Sequence, residues 1–111
     1  KGLDTCLWLF TLEEWEIFAS KIMSNASMMN RKNLDVIRHF IAPAEQVEFD
    51  KSGRLSIPQS LRKYANLSKD CTVLGIAKYV ELWDSATYNE YIVSSEESFR
   101  ESAEGFNDIT F

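Results

Sequence analysis

The sequence is poor in the residues and segments on which catalysis, metal binding and membrane insertion depend. Of 111 residues, one is histidine and two are cysteine. No pattern links His39 to a cysteine or serine nucleophile, and there is no cluster of metal ligands and no glycine-rich phosphate loop. No apolar run approaches the roughly 20 residues that a membrane-spanning helix needs. We therefore expect no enzyme activity, no metal or other cofactor, no small-molecule substrate and no membrane partner.

The two cysteines lie in apolar, strand-like contexts. Cys6 belongs to the segment TCLWLF and Cys71 to the segment DCTVLG. One interpretation is a disulfide between them. The other is two buried, reduced thiols in a cytoplasmic protein, and we favour it because free cysteine is among the most often buried residues and cytoplasmic disulfides are rare.

Charge is distributed unevenly along the chain. The formal net charge is −5, which by itself argues against a nonspecific nucleic-acid coat. Residues 51–69, called the basic segment below, nevertheless carry only positive charges, whereas the tail from Glu90 onward is acidic apart from Arg100. The cations of the basic segment are Lys51, Arg54, Arg62, Lys63 and Lys69. Local charge is therefore a better guide to binding partners than the total.

The pattern of apolar residues predicts a mixture of strands and helices. Strands are predicted at residues 5–10, 45–49, 54–57, 72–76 and 79–83. Helices are predicted at residues 12–28, 34–41 and 58–65, with a final helix that Asp84 caps.

Several local signals refine these predictions. Thr11 with Glu14 three residues later forms a capping box. Residues 30–33 interrupt the helical pattern, and Ser52-Gly53 predicts a tight turn because glycine tolerates positive φ. Val47 and Phe49 are expected to point inward from their strand. The polar, poorly periodic segment that follows Val93 is expected to be mobile or loosely docked.

Two segments separated by 73 positions repeat one pattern. Residues 2–15 (GLDTCLWLFTLEEW) and 75–88 (GIAKYVELWDSATY) each run from a glycine through an apolar strand to a capping residue and an aromatic helix. At this offset the cap Thr11 matches the cap Asp84. The second copy follows a further unit, residues 44–74, whereas a single lysine precedes the first. We therefore expect the first repeat to lack its N-terminal half.

One region carries a specific family resemblance. The motif D-x-x-G-R-L-x-I-P-x-x-L-R occupies residues 50–62, A-x-L follows at 65–67, and G-x-x-x-x-V-E-L-W-D occupies 75–84. These motifs resemble the MraZ family of bacterial transcriptional regulators, whose domain is similar to those of the AbrB group. The resemblance covers nearly all of residues 1–93, and Arg38-His39-Phe40 stands where the family has a basic-aromatic segment between its repeats.

The resemblance implies an α+β fold, namely a swapped, double-split β-barrel built from tandem β-hairpin repeats with peripheral helices, here with the first repeat truncated. It assigns residues 1–14 to the end of the first repeat, 15–43 to inter-repeat helices, 44–87 to the second repeat and 88–111 to a C-terminal helix and acidic tail. It also implies ring-like homo-oligomers that bind double-stranded DNA. Their targets are short direct repeats upstream of the division and cell-wall gene cluster, so the protein is expected in the cytoplasm, associated with the nucleoid.

The family's D-x-x-x-R signature supplies the candidate site. The candidate DNA-binding residues are Lys51, Arg54, Arg62 and Lys63, with Asp50 and Gly53 as turn and orienting residues. Arg54 either pairs with Asp50 to fix the turn or contacts a phosphate or a guanine edge, and both roles are compatible. Lys51 is expected to meet phosphate. For Arg62 and Lys63 three interpretations stay open: solvation, DNA contact, or pairing with acids of a neighbouring subunit.

Two functions from different classes remain open. One is a DNA-binding regulator of transcription, in which an oligomer multiplies a weak contact through avidity. The other is an antitoxin-like or scaffold module of the same fold, which interacts with a protein and has no operator of its own. The apolar tail residues Phe99, Phe106, Ile109 and Phe111 are compatible with an interaction element, although a solvated tail is the simpler interpretation.

Overall fold

A computed structural model of the chain describes residues 1–25 and 30–106. The elements in chain order are β1 (Leu7–Leu9), α1 (Leu12–Asn25), α2 (Arg31–Phe40), α3 (Gln59–Tyr64), β2 (Cys71–Ile76), β3 (Tyr79–Asp84), α4 (Ser85–Ser94) and α5 (Glu96–Glu104). This mixture of a small antiparallel sheet with several helices confirms the predicted α+β class. Within the described ranges, no helix is both long enough and apolar enough to span a membrane.

The sheet has three antiparallel strands in the order β1-β3-β2. β2 and β3 form a hairpin, and β1 pairs with the other edge of β3, with Trp8 opposite Glu81. Those two residues are also equivalent in the sequence repeat. Leu7 pairs with Leu82 in the same register. The two copies of the repeat are therefore related by a local twofold axis between Trp8 and Glu81.

An aromatic cluster on one face of the sheet joins the strands to the first two helices. The indole of Trp8 lies 4.4 Å from the ring of Tyr79, 5.3 Å from that of Phe40 and 6.0 Å from that of Phe18, measured between ring centroids. These partners come from β3, α2 and α1 respectively. Large aromatic surfaces of this kind dominate the energetics of a core. The cluster therefore holds the first copy of the repeat against the second.

The start of α1 confirms its predicted cap. The hydroxyl oxygen of Thr11 accepts a hydrogen bond from the backbone N–H of Glu14 at 3.2 Å. This satisfies one of the amides that a helix leaves without a partner in its first turn. The predicted end of the helix at residue 28 lies outside the described residues, which run without a break to Asn25.

The predicted interruption of the helical pattern is confirmed at Asn30, which has an extended backbone, but its extension over residues 31–33 was wrong. The side-chain oxygen of Asn30 accepts hydrogen bonds from the backbone N–H groups of Lys32 (2.9 Å) and Asn33 (3.3 Å). Asparagine is therefore the N-cap, and α2 begins at Arg31 rather than at residue 34. The polar run that looked like a loop is the first turn of a helix.

The two strands predicted around the Ser52-Gly53 turn are reduced to a single bridge between Phe49 and Leu55. The prediction that Val47 and Phe49 point inward was also wrong, because their exposed fractions are 37% and 71%. The alternation of polar and apolar residues here is typical of a strand, but the described residues provide no surface that covers its apolar side chains.

The prediction of two buried, reduced thiols is correct for Cys6 only, because both cysteines are free but Cys71 lies exposed on β2.

The segment after Val93, which was expected to be mobile or loosely docked, forms the helix α5 as far as Glu104. An ion pair between Arg100 and Glu96, with 2.8 Å between nitrogen and oxygen, supports this helix at the favourable i, i+4 spacing.

Candidate nucleic-acid interface

The side chain of Asp50 organises the glycine-centred turn. One carboxylate oxygen, Oδ1, accepts hydrogen bonds from the backbone N–H groups of Ser52 and Arg54, both at 2.8 Å. The backbone closes the same loop, since the N–H of Asp50 donates to the carbonyl of Arg54 at 2.8 Å and the N–H of Gly53 donates to the carbonyl of Asp50 at 3.0 Å. Gly53 has φ +78°, a conformation that glycine adopts without a steric penalty. The turn is thus a closed and locally determined unit.

The second oxygen of the same carboxylate orients Arg54. The Nε of Arg54 lies 3.4 Å from Oδ2 of Asp50, while the two side chains are 79% and 52% exposed. Such an exposed pair adds little stability. It does restrict the rotamers of the guanidinium, whose Nη groups remain on the solvent side apart from a long contact of 3.5 Å to Ser52. A structural role and a ligand-binding role for Arg54 are therefore compatible in this geometry.

The other predicted site residues take no part in these hydrogen bonds or in this ion pair. Lys51 is exposed within the turn, and Arg62 and Lys63 are exposed in the last turn of α3. Among residues 1–25 and 30–106, no hydrogen bond or ion pair joins these three cations to Asp50 or Arg54. The structure thus connects Asp50, Gly53 and Arg54 directly, and it places the remaining cations on the same stretch of chain.

Buried contacts fix the position of α3. Ala65, which caps its C-terminal end, is fully buried, and the hydroxyl of Tyr64 donates to the backbone carbonyls of Gly2 (3.2 Å) and Asp4 (3.0 Å). Asn66 follows with φ 54°, a left-handed conformation common for asparagine after a helix. Since the apolar face of the short helix is held in this way, Arg62 and Lys63 are directed to the surface.

Asp84 binds the C-terminal end of the basic segment through Ser68. The sequence predicted only part of the role of Asp84. Its nearly buried carboxylate caps α4 through the backbone N–H (3.2 Å) and hydroxyl (3.1 Å) of Thr87. It also accepts hydrogen bonds from the backbone N–H (3.1 Å) and hydroxyl of Ser68. Hydrogen bonding, above all from the Ser68 hydroxyl, lowers the pKa of Asp84. The cap was predicted, whereas nothing in the sequence indicated Ser68.

Glu81 is a second carboxylate with a structural role. Its two oxygens accept hydrogen bonds from the indole N–H groups of Trp8 (2.9 Å) and Trp83 (3.0 Å). Burial, followed by the nearby charge of Glu81, raises the pKa of Cys6 to about 12. This thiol is therefore protonated at neutral pH and is a poor nucleophile. In the described part of the chain, no group of three or more His, Cys, Asp or Glu residues is placed to hold a metal ion.

Comparisons with known proteins agree with the motifs. The family model described as "MraZ protein, putative antitoxin-like" matches residues 40–108, which include the whole basic segment. A curated relative from Treponema denticola, named Transcriptional regulator MraZ, is 47% identical over 111 residues, which make up 100% of this chain and 77% of the relative.

Proposed function

The chain belongs to the MraZ family, and on that premise we propose that it binds double-stranded DNA and regulates transcription. The observation that carries the proposal is the turn in which Asp50 orients an exposed Arg54 at the start of a segment with five cations and no acid. An arginine held in this way loses little conformational freedom when it meets a phosphate or a guanine edge. The name of the relative from Treponema denticola, a transcriptional regulator, supports the same function.

The proposed contacts differ in what they recognise. Arg54 contacts a guanine edge or a phosphate, and Lys51, next to it, contacts phosphate. Arg62 and Lys63 extend the positive surface along α3. The net charge of −5 does not oppose this role, because the acids are concentrated in the tail rather than in the basic segment. A regulator of this kind acts in the cytoplasm, in the nucleoid.

We also propose that the sheet is part of the family's swapped, double-split β-barrel. The local twofold between the copies of the repeat supports this. So does the sheet face that carries Cys71, Val73 and Gly75, which is apolar and open, with Val73 64% exposed. Val47 and Phe49 offer matching exposed apolar surface on the arm before the turn. Covering such surfaces on folding is favourable.

The domain boundaries that we propose follow this barrel. Residues 1–14 end the first repeat, residues 15–43 form the helices between repeats, residues 44–87 form the second repeat, and residues 88–111 form a C-terminal helix and acidic tail. Ring-like oligomers then present several copies of the Arg54 turn to short direct repeats of DNA upstream of the division and cell-wall gene cluster. Avidity compensates for the weakness of a single contact.

The decisive experiment is a DNA titration of the Arg54→Ala variant at several salt concentrations. The probe is a duplex that contains the direct repeats, with a scrambled duplex for comparison. If Arg54 contacts a base, the binding free energy for the direct repeats should weaken by about 1–3 kcal/mol. If it contacts phosphate, the slope of the logarithm of the binding constant against the logarithm of the salt concentration should become shallower by about one. The matched control is Arg38→Ala, since Arg38 is also exposed (65%, against 79% for Arg54) and pairs with Asp35 at 3.3 Å on α2.

Unchanged DNA binding by Arg54→Ala, accompanied by a lower melting temperature, would make Arg54 purely structural and overturn the proposed contact. Arg54→Lys separates the two roles further, because lysine keeps the charge but loses the planar, two-pronged donor. It should retain most phosphate binding and lose discrimination between the two duplexes.

A protein-interaction module is the second candidate, and the exposed aromatic residue Phe99 on α5 favours it. The description of the matching family model as antitoxin-like points in the same direction. Deleting residues 96–111 tests this function. If the deletion leaves DNA binding intact but abolishes partner binding, the segment is an interaction element. If the deletion changes neither DNA binding nor partner binding, the segment is solvated and the protein-interaction function is refuted.

A further inference from the structure

Two side chains of its own turn hold the guanidinium of Arg54, and only one of them belongs to the family's motif. The Nε of Arg54 lies 3.4 Å from Oδ2 of Asp50, and its Nη2 donates a long hydrogen bond of 3.5 Å to the hydroxyl oxygen of Ser52. Asp50 is part of the D-x-x-x-R signature, whereas the signature leaves position 52 open. Ser52 is therefore a positioning group that the motif does not supply.

Both contacts involve the nitrogens of one edge of the guanidinium. Nη2 is the terminal nitrogen on the same side as the Nε–H, so Nε and Nη2 form an inner edge, while Nη1 and Nη2 form an outer edge. Asp50 approaches the first nitrogen of the inner edge and Ser52 the second. Within residues 1–25 and 30–106, no hydrogen bond or ion pair reaches Nη1. The outer edge is thus the part of Arg54 that is open to a ligand.

Charge distinguishes Arg54 from its neighbour Lys51. The carboxylate of Asp50 offsets part of the charge of Arg54, so this pair attracts a phosphate less than a free cation does. Lys51 is exposed, and the ion pairs of the described chain do not include it. An ammonium is a compact point charge, whereas a planar guanidinium matches a ligand with two adjacent acceptors. The turn therefore presents one cation suited to charge and one suited to geometry.

Guanine is the base that matches the open edge of Arg54. In the major groove, O6 and N7 of guanine are adjacent acceptors that two parallel N–H groups can contact together. Adenine places a donor, N6, beside its N7, so one N–H of the outer edge would meet another donor there. A phosphate also accepts two hydrogen bonds, but the nearby carboxylate of Asp50 repels it. Hydrogen-bond pattern and charge together favour guanine.

We propose that Arg54 contacts guanine through its outer edge, that Ser52 determines this specificity, and that Lys51 contacts phosphate. This assignment rests on the DNA-binding function proposed above and gives the two cations of the turn different targets. Asp50 and Ser52 hold the inner edge and thereby fix the plane of the guanidinium before DNA arrives. The guanine then meets a pair of donors that has little conformational freedom left to lose.

Replacement of guanine by 7-deazaguanine tests the contact, because this analogue pairs normally but lacks the N7 acceptor. The full chain is titrated with the direct-repeat duplex and with the same duplex in which every guanine of the repeats is 7-deazaguanine. The wild type should bind the modified duplex at least about fivefold more weakly. We call this ratio of dissociation constants the guanine ratio. Arg54→Ala should reduce it to about one, whereas Lys51→Ala should weaken binding to both duplexes and keep the ratio.

Ser52→Ala isolates the positioning role. The backbone N–H of Ser52, not its side chain, donates to Asp50, so the variant keeps the turn and should melt at the wild-type temperature. Its guanine ratio should fall at least about twofold, with unchanged affinity for the scrambled duplex. Ser52→Thr keeps a hydroxyl and should restore the ratio. The matched control is Ser20→Ala on α1, an equally small change at an exposed serine, which should leave the ratio unchanged.

Asp50→Asn tests the effect of charge. Asparagine keeps an acceptor for the backbone N–H groups of Ser52 and Arg54 and removes the negative charge. Binding to the scrambled duplex should become at least about twofold tighter and more dependent on salt. Asp35→Asn makes the same change of net charge on α2 and should have little effect. Weaker binding of the scrambled duplex by Asp50→Asn would overturn the different targets assigned to Arg54 and Lys51.

Three further results would overturn the assignment. They are a wild type with a guanine ratio of about one, an Arg54→Ala variant that keeps the wild-type ratio, and a Ser52→Ala variant that keeps it. In each case the chain still binds the direct repeats, so the proposed function stands. A wild type that binds neither the direct-repeat nor the scrambled duplex would instead refute the proposed function, and the guanine contact with it.

Discussion

The two copies of the repeated unit share a local plan but are stabilised by different chemistry. In the first copy, β1 with α1, the central strand residue is Trp8, whose indole packs among aromatic rings. In the second copy, β3 with α4, the equivalent residue is Glu81, whose carboxylate accepts hydrogen bonds from Trp8 and Trp83. An aromatic donor in one copy thus faces an acidic acceptor in the other across the local twofold. Equivalence in sequence preserves the backbone arrangement and leaves the interactions free to diverge.

The helix caps show the same divergence. Thr11 is exposed and accepts one hydrogen bond from the helix that follows. Asp84 is buried and accepts hydrogen bonds from both Thr87 and Ser68. A cap that also binds a distant segment contributes more than a cap that serves only its own helix, because its loss leaves partly buried donors on two segments without their acceptor.

Trp8→Ala should have the largest effect on this arrangement. The substitution removes the aromatic ring that joins both copies and the hydrogen bond to Glu81. We expect the free energy of unfolding to fall by about 3 kcal/mol, in the lower part of the range for deleting a large aromatic side chain. Urea unfolding measures this loss. Ile17→Ala on α1, where the side chain is 45% exposed, is the control and should cost much less.

A loss for Trp8→Ala no larger than that for Ile17→Ala would show that the aromatic cluster does not hold the copies together.

Asp84→Ala should destabilise the protein more than Thr11→Ala, although both residues are caps at equivalent positions of the repeat. The Thr11 substitution removes one exposed cap and should cost about 0.5–1 kcal/mol. The Asp84 substitution also leaves the N–H of Ser68 without its acceptor. Thermal unfolding of the two variants measures the difference. Equal melting temperatures would mean that the Ser68 hydrogen bonds contribute nothing.

The pKa of Asp84 predicts the pH dependence of this contribution. Hydrogen bonds lower the pKa in the folded state below the value of about 3.9 in the unfolded chain. The unfolded state therefore binds the proton more readily, so the stabilisation is complete above the unfolded pKa and is lost as pH falls through the folded pKa. Asp84→Asn should flatten the acid limb of the stability profile. An acid limb as steep as that of the wild type would assign the loss to other carboxylates.

The glycines that begin the two copies should also respond differently to alanine. A Cβ on Gly2 would lie 2.6 Å from the sulfur of Cys6 and 2.9 Å from the indole of Trp8, whereas a Cβ on Gly75 meets nothing within 4 Å. Gly2→Ala should therefore cost about 1 kcal/mol, as for mild overpacking. Gly75→Ala should be close to neutral. Equal unfolding free energies for both variants would show that the first copy has room that the structure does not indicate.

Local signals predicted a large part of the fold. The Thr11 and Asp84 caps, the Gly53 turn, the short helix after Pro58 and the strands β2 and β3 all depend on neighbouring residues, and each was found. The errors arose where a local pattern had two meanings. Residues 31–33 were taken for part of the break, although the asparagine before them is a strong N-cap that starts a helix at Arg31.

The candidate site likewise has one part that the sequence indicated and one part that only the structure shows. The geometry of Asp50, Gly53 and Arg54 spans five consecutive residues, so the sequence was sufficient to indicate it. The contacts that anchor the basic segment at its other end were invisible in the sequence. The Ser68–Asp84 contact joins residues 16 positions apart, and no periodic pattern encodes such a pair.

The sequence by itself determined the repeat, the family and the chemistry of the Arg54 turn, because each of these depends on residue identity and short spacing. Only the tertiary structure decided which copy carries the aromatic cluster, that Glu81 accepts from both indoles, and that Val47 and Phe49 are exposed. The physical reason is that burial depends on which surfaces meet. An alternating segment such as residues 45–49 specifies that one face is apolar, but packing alone decides whether anything covers that face.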